Sequence, residues 1–198
     1  MKNSSDSLIQ SPAPRRTFLA RAGAGALSAT AIAMLGGNEA LAQGMAGNPA
    51  ADAAILNVAL GLEFEAIGAY ELGARSGLLQ KPVLEVAVLF QSQHKGHRDA
   101  LIATIRKLGA APVAEKSLDD YAKALRADTL KSQGDVLDLA ARLELGAVNA
   151  YLGVIPAFKD PALAKVAGRL AADETMHWTI LTNALGRPLP QGALSFGA

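Results

Sequence analysis

Cysteine is absent from the 198-residue sequence. Without a thiol, the chain cannot form a disulfide bond, use a thiolate nucleophile or hold a cysteine-bound zinc ion. Iron–sulfur clusters and rubredoxin-type iron centres need cysteine ligands and are excluded for the same reason. Any metal site must therefore be built without thiolate ligands.

Aromatic residues and net charge are also scarce. Aromatics make up 5% of the chain, and the hydrophobic 51% is mostly Ala, Leu, Val and Ile. Ala and Leu favour helices, and no segment of useful length alternates as a half-buried strand does. After residue 42 the chain carries 15 basic and 16 acidic residues, a net charge of −1. This balance gives no electrostatic basis for nucleic-acid binding.

The N-terminus has the parts of an export signal in the expected order. Arg15 and Arg16 precede Phe-Leu, an uncharged stretch rich in Ala, Gly and Leu covers 22–37, and Ala40-Leu41-Ala42 has the small-x-small pattern of a cleavage site. We therefore predict a twin-arginine (Tat) signal peptide over 1–42, cleaved after Ala42 and followed by a linker over 43–49.

Two positions depart from the twin-arginine pattern, since Pro14 replaces the usual Ser/Thr and Ala20 the frequent Lys. An ordinary secretory signal is thus the alternative. A membrane anchor is disfavoured, because the apolar stretch is short, rich in Gly and ends in a cleavage site. The twin-arginine interpretation predicts a periplasmic protein, exported by the Tat machinery, with no membrane span in its mature form.

Four long helices are predicted after the signal. They run from about Asn48-Pro49 to Ala74, from Pro82 to Leu108, from Asp135 to Ile155 and from Asp160-Pro161 to Leu185. Short links join the first two and the last two, which makes antiparallel hairpins. The link of about 25 residues between the hairpins, with a short helix near Ser117, can return along the bundle. We predict an all-α four-helix bundle over 50–186, two hairpins joined by a long crossover, and a loop over 187–198.

Polar residues interrupt the apolar stripe of each long helix. All three histidines of the chain and three glutamates fall on the stripes and are predicted to face inward. Buried carboxylates need compensation, which bound metal cations would supply. The alternative is a network of polar core residues bonded to one another. The candidate metal ligands are Glu63, His94, His97, Glu144, Glu174 and His177.

An internal repeat links the two hairpins. The segment from Glu63 to Tyr70 and the segment from Glu144 to Tyr151 both have Glu, then Ala three residues later, then Tyr seven residues later. Hairpins related by such a repeat would face each other about an approximate two-fold axis, with a shared site on that axis. Tyr70 and Tyr151 are expected to pack beside the ligands with hydrogen-bonded hydroxyls rather than to relay electrons.

This pattern resembles the ferritin-like superfamily of the rubrerythrin, di-iron carboxylate type, over about residues 50–186. That family places a Glu on each of two helices and a Glu-x-x-His pair on each of the other two. The resemblance implies that Glu63 and Glu144 are the single glutamates. It further implies that Glu174 and His177 form one pair and that His97 is the second histidine.

His94 stands where the resemblance expects the second bridging glutamate. An alternative register pairs Gln91 with His94, but it would turn Arg98 inward and lose the match at Leu101. Three carboxylates compensate the charge of two divalent ions less completely than four. The departure therefore leaves open one metal ion or two.

The resemblance implies a metal-dependent oxidoreductase acting on dioxygen or peroxide. Iron, di-iron or mononuclear, is the expected cofactor, with manganese or zinc as alternatives. A cysteine-free chain would take electrons from an external donor, and a homodimer is compatible with the sequence. A metal-binding or storage protein without turnover, and a metal-free helical module, are the competing hypotheses. We assign the off-stripe carboxylates to the surface: Glu65, Glu71 and Glu85.

Overall fold

A computed structural model describes residues 49–194. The predicted signal peptide and nearly all of the linker lie outside the described residues. No strand is present within 49–194, and two 3₁₀ turns cover Ala127–Thr129 and Ile155–Ala157. The helices are α1 (Pro49–Arg75), α2 (Lys81–Lys107), α3 (Leu118–Ala124), α4 (Gln133–Val154) and α5 (Pro161–Ala184).

Side-chain caps and glycines set the helix ends. Ser117, Ser132 and Asp160 each accept a hydrogen bond from a backbone N–H in the first turn of α3, α4 and α5. The cap at Ser132 makes α4 begin two residues before the predicted start at Asp135. Helix α2 ends at Lys107 and is followed by Gly109, whose φ of 80° suits glycine, while Ala110 N–H donates back to the carbonyl of Ile105.

The helices pack as two hairpins. Helix α1 lies against α2, α4 lies against α5, and α1 also contacts α4 and thereby joins the hairpins. The crossover from Leu108 to Ser132 carries α3, which packs on α1. The predicted all-α bundle of hairpin, crossover and hairpin is confirmed. Within 49–194, none of the helices has the length and apolarity needed to cross a membrane.

Helix α1 is buried on nearly every side, because α2, α4 and α3 all cover it. Its residues from Leu62 to Tyr70 are buried without a break. The assignment of Glu65 to the surface was therefore wrong, since its side chain is 5% exposed. The approach of α3 is close: a Cβ at Gly68 would lie 2.8 Å from the Tyr121 ring.

The apolar core is divided in two. One cluster, including Leu60, Leu101 and Ile105, fills the end of the bundle nearer the crossover helix. A smaller cluster, including Phe90 and Leu181, fills the other end. The six candidate ligands belong to neither cluster and occupy the layer between them. A charged layer inside an apolar core costs free energy unless its members compensate one another.

Candidate metal centre

The structure brings the six predicted ligands together from all four long helices. In five of them the whole residue is at most 2% exposed. His97 is half-buried, and its side chain is 12% exposed. We call this set the glutamate–histidine cluster. Its members fall into two overlapping groups whose ligand atoms lie within 4.8 Å of one another. The groups are Glu63, His94, His97 and Glu174, and His94, Glu144, Glu174 and His177.

The first group presents two carboxylate oxygens and two imidazole nitrogens. Glu63 Oε2 lies 2.8 Å from His94 Nδ1 and 3.6 Å from His97 Nδ1. Glu174 Oε1 lies 3.6 Å from His94 Nδ1 and 3.1 Å from His97 Nδ1. Ligands of a tetrahedral ion with bonds of about 2.0–2.1 Å are separated by roughly 3.3 Å, and these four oxygen–nitrogen distances lie on either side of that value.

The second group repeats this composition. Glu144 Oε1 lies 3.1 Å from His94 Nε2 and 3.4 Å from His177 Nδ1, and Glu174 Oε2 lies 3.0 Å from His177 Nδ1. Glu174 thus directs one carboxylate oxygen to each group. His94 likewise directs one ring nitrogen to each group.

Two side chains that the sequence analysis did not select hold the outer nitrogens of the terminal histidines. Gln93 Oε1 lies 2.7 Å from His177 Nε2, and Asp173 Oδ2 lies 3.2 Å from His97 Nε2. These oxygens accept, so each Nε2 carries the proton and each Nδ1 can turn a lone pair toward the cluster. Metal-ligating histidines are commonly oriented by such a partner. Gln93 and Asp173 each precede a candidate ligand by one residue, which was the available signal.

The two repeat tyrosines bond reciprocally across the hairpins. Tyr70 donates from its hydroxyl to Glu144 Oε1, and Tyr151 donates to Glu63 Oε1. Each tyrosine therefore contacts the glutamate of the other repeat. This exchange is the approximate two-fold relation that the repeat predicts, and the expected hydrogen-bonded packing role of Tyr70 and Tyr151 fits these contacts.

Opposing effects set the protonation of the carboxylates. Burial would raise the pKa of Glu63, but hydrogen bonds from His94 and His97 outweigh it and lower that pKa to about 2. Burial would also raise the pKa of Glu144, but hydrogen bonds from His177 and His94 outweigh it and lower that pKa. For Glu174 burial prevails over its histidine partners and raises the pKa. The central carboxyl is thus the one that most readily retains a proton.

The histidines respond to the same carboxylates. Burial lowers the pKa of His97, but hydrogen bonds to Glu174 and Glu63 overcome it and raise the value to about 10. The pKa values of His94 and His177 are also raised, because their carboxylate contacts outweigh burial. Without a metal, protons on the imidazoles therefore compensate the carboxylates. A cation binding here has to displace those protons.

The donor set fits a bound cation. Within the described residues, Glu144 Oε2 is a fully buried oxygen with no hydrogen-bond partner, whereas buried polar atoms are normally paired. An ion bound near Glu144 would supply the missing positive partner. Imidazole and carboxylate ligands together suit iron, manganese and zinc.

The alternative register does not displace His97. Gln91 is buried, but its amide donates to the carbonyl of Ile67 and to Glu71, away from the two groups. Arg98 does not enter the cluster and pairs with Asp99 instead. Glu85 is exposed, as expected, whereas Glu71 is half-buried beside Gln91 and Arg75.

Comparison with known protein families identifies the family of the bundle. The sequence matches the ferritin-like domain family over residues 51–187. This chain belongs to the ferritin-like domain family. No curated protein matches it at a significant level.

A solved structure shares the fold. The crystal structure of a conserved hypothetical protein from Mycobacterium tuberculosis superimposes with a TM-score of 0.59 at 22% identity. The similarity covers 75% of this chain and 99% of that one. At this identity the likeness concerns the fold alone.

Proposed function

We propose that this protein is a Tat-exported, periplasmic metalloprotein. Its glutamate–histidine cluster would hold one or two metal ions, with iron as the leading cofactor and manganese or zinc as alternatives. The observation that carries the proposal is the orientation of His97 and His177. Each is held at Nε2 by an outer oxygen and turns Nδ1 toward two buried carboxylates. A network of protonated histidines would satisfy the same nitrogens, but it leaves the buried Glu144 Oε2 without a hydrogen-bond partner, which a bound cation would supply.

A redox-active ion bound here would supply one-electron chemistry toward dioxygen or peroxide, and we propose oxidoreductase activity of that kind. The chain's own residues would bind and orient the ion and exclude bulk water. Tyr70 and Tyr151 would fix the carboxylates of Glu144 and Glu63 by donating hydrogen bonds. Electrons would come from an external donor, because the sequence has no cysteine for a second iron centre of its own.

Metal analysis tests the site. We expect the purified full chain to retain one or two equivalents of metal, and His177→Gln and Glu144→Gln to retain measurably less than the parent. The matched control is Glu85→Gln on the exposed face of α2, which should bind as the parent does. Equal metal content in all four proteins would contradict the assignment. If the parent protein contains no metal and its melting temperature is unchanged by chelator, the hypothesis of a metal-free helical module would be favoured.

Turnover and export need their own measurements. The iron-loaded protein should consume peroxide or dioxygen when given a chemical reductant. Tightly held iron without consumption would instead favour storage or binding. Replacing Arg15 and Arg16 by Lys should leave the protein in the cytoplasmic fraction if the Tat route is used, while continued periplasmic accumulation would indicate the ordinary secretory route.

A further inference from the structure

His94 differs from the other two histidines in how its ring nitrogens are used. His97 and His177 each direct one nitrogen to an outer oxygen and one to the cluster. Both nitrogens of His94 face cluster carboxylates, with Nδ1 2.8 Å from Glu63 and Nε2 3.1 Å from Glu144. The ring, 1% exposed, therefore stands between the two ligand groups and not at the edge of one.

We propose that His94 bridges two metal ions, one on each ring nitrogen. This inference rests on the proposed function and specifies the arrangement of its site. Glu63, His97 and one oxygen of Glu174 would complete the ligands of the first ion. Glu144, His177 and the other oxygen of Glu174 would complete those of the second, so each ion has two oxygen and two nitrogen ligands.

An imidazole bridge changes the site in two ways. The ring width separates the ions more than the roughly 3.5–4 Å of common two-metal sites. A ring bonded through both nitrogens has also released both protons to solvent. It then supplies the negative charge that a second bridging carboxylate would have supplied. The bridge is inferred from the positions of the two His94 ring nitrogens.

Anomalous diffraction from zinc-loaded crystals of the full chain tests the bridge. We expect two zinc peaks more than about 4 Å apart, on opposite sides of the His94 ring. A single peak, or two peaks about 3.5–4 Å apart with His94 touching one, would overturn the bridge while leaving metal binding intact. Failure of zinc to bind at all would overturn the bridge together with the proposed function.

Substitutions separate a shared ligand from a terminal one. His94→Gln should weaken the binding of both zinc ions. The matched change His97→Gln should weaken the binding of the first ion and leave the affinity for the second unchanged. His94→Glu should keep both ions and shorten their separation toward about 3.5–4 Å, as for a carboxylate bridge. Loss of one ion alone in His94→Gln, with the other at parental affinity, would overturn the proposal. Zinc titration and circular dichroism distinguish these losses from misfolding.

A separate feature lies at the end of the bundle away from the crossover helix. A partly open cavity of about 240 Å³ is lined by all four long helices, with walls that include Tyr70, Val86, Leu137 and Leu181. Every lining side chain is apolar apart from the Tyr70 hydroxyl, which is already bonded to Glu144. Exposed Ile180 borders it on α5.

We infer that this cavity binds a small, uncharged, apolar molecule of about the size of benzene. An engineered cavity of roughly 150 Å³ in another protein, lined by apolar side chains, stays dry and admits benzene or xenon. The cavity here is larger and offers no free polar partner for water among its lining side chains. Tyr70 forms the wall between it and the glutamate–histidine cluster, so a bound molecule would lie one side chain from the proposed metal ions.

Benzene is the probe for this inference. Saturating benzene should raise the melting temperature of the full chain and have little effect on Ala87→Leu, whose added carbons enter the cavity. The matched control is Ala100→Leu on the exposed face of α2, which should respond as the parent does. Equal shifts in all three proteins would overturn the inference. The inference would also be overturned if the parent binds no benzene and forms a dimer that Ile180→Glu dissociates. A second copy of the chain would then be the occupant of the cavity.

Discussion

Tyr151→Phe removes the hydroxyl that donates to Glu63 inside the buried cluster. A hydrogen bond to a charged group contributes about 1.5–3 kcal/mol, and burial prevents water from replacing the lost donor here. We therefore expect a loss of about 2–3 kcal/mol in the free energy of unfolding. For a domain of this size that corresponds to a drop of roughly 4–12 °C in melting temperature. Thermal and urea denaturation of chelator-treated protein would measure it.

The other two tyrosines provide the comparison. Tyr70→Phe removes the reciprocal donor to Glu144 and should cost about as much. Tyr121→Phe makes the same chemical change, but its hydroxyl accepts from the backbone N–H of Lys116 in a half-buried position. That neutral bond should contribute no more than about 0.5–1.5 kcal/mol. Equal losses in all three variants would refute the reasoning that the reciprocal pairs compensate buried carboxylates.

Gly68→Ala should destabilise the protein by about 1–2 kcal/mol, because the added methyl meets the Tyr121 ring at 2.8 Å. Gly61→Ala in the same helix places its methyl in open space and should stabilise the protein by about 0.5–1 kcal/mol. Urea titrations should therefore give changes in unfolding free energy of opposite sign for the two variants. Metal-free protein should melt highest between about pH 4.5 and 6.5. The raised pKa of His97 gives stability that is complete below 6.5 and lost as pH rises through about 10. The lowered pKa of Glu63 gives stability that is present above 4.5 and lost as pH falls through about 2. A melting temperature that does not change between about pH 6 and 9 would contradict this account. Zinc affinity, measured by competition with a chelator, should rise with pH because the ion displaces histidine protons.

Much of the fold and of the candidate site could be predicted from the helical pattern of the sequence. Apolar stripes with three- and four-residue steps, short links and one long link are sufficient to predict two hairpins and a crossover. The chain has three histidines, and all of them fall on the stripes, so inward geometry followed from periodicity alone. The assignment of the six side chains as metal ligands stays a prediction.

Contacts that depend on tertiary placement could not be predicted in this way. Periodicity placed Glu65 outside the stripe of α1, but it carries no information about the crossover helix that covers that side. Gln93 and Asp173 lie just off their stripes, where a side chain reaches the cluster or solvent according to small differences in helix rotation. Because α1 is covered by three neighbours, a single stripe describes it poorly.

The reciprocal tyrosines have a consequence for the order of folding. Tyr70 and Glu144 are 74 residues apart, and Tyr151 and Glu63 are 88 apart. Closing such long loops is paid for in entropy before either contact can form. Each hairpin can therefore assemble locally, while its own glutamate lacks a hydroxyl donor until the second hairpin docks. The charged interior is completed only when the two hairpins dock, so the competence of the centre depends on that docking.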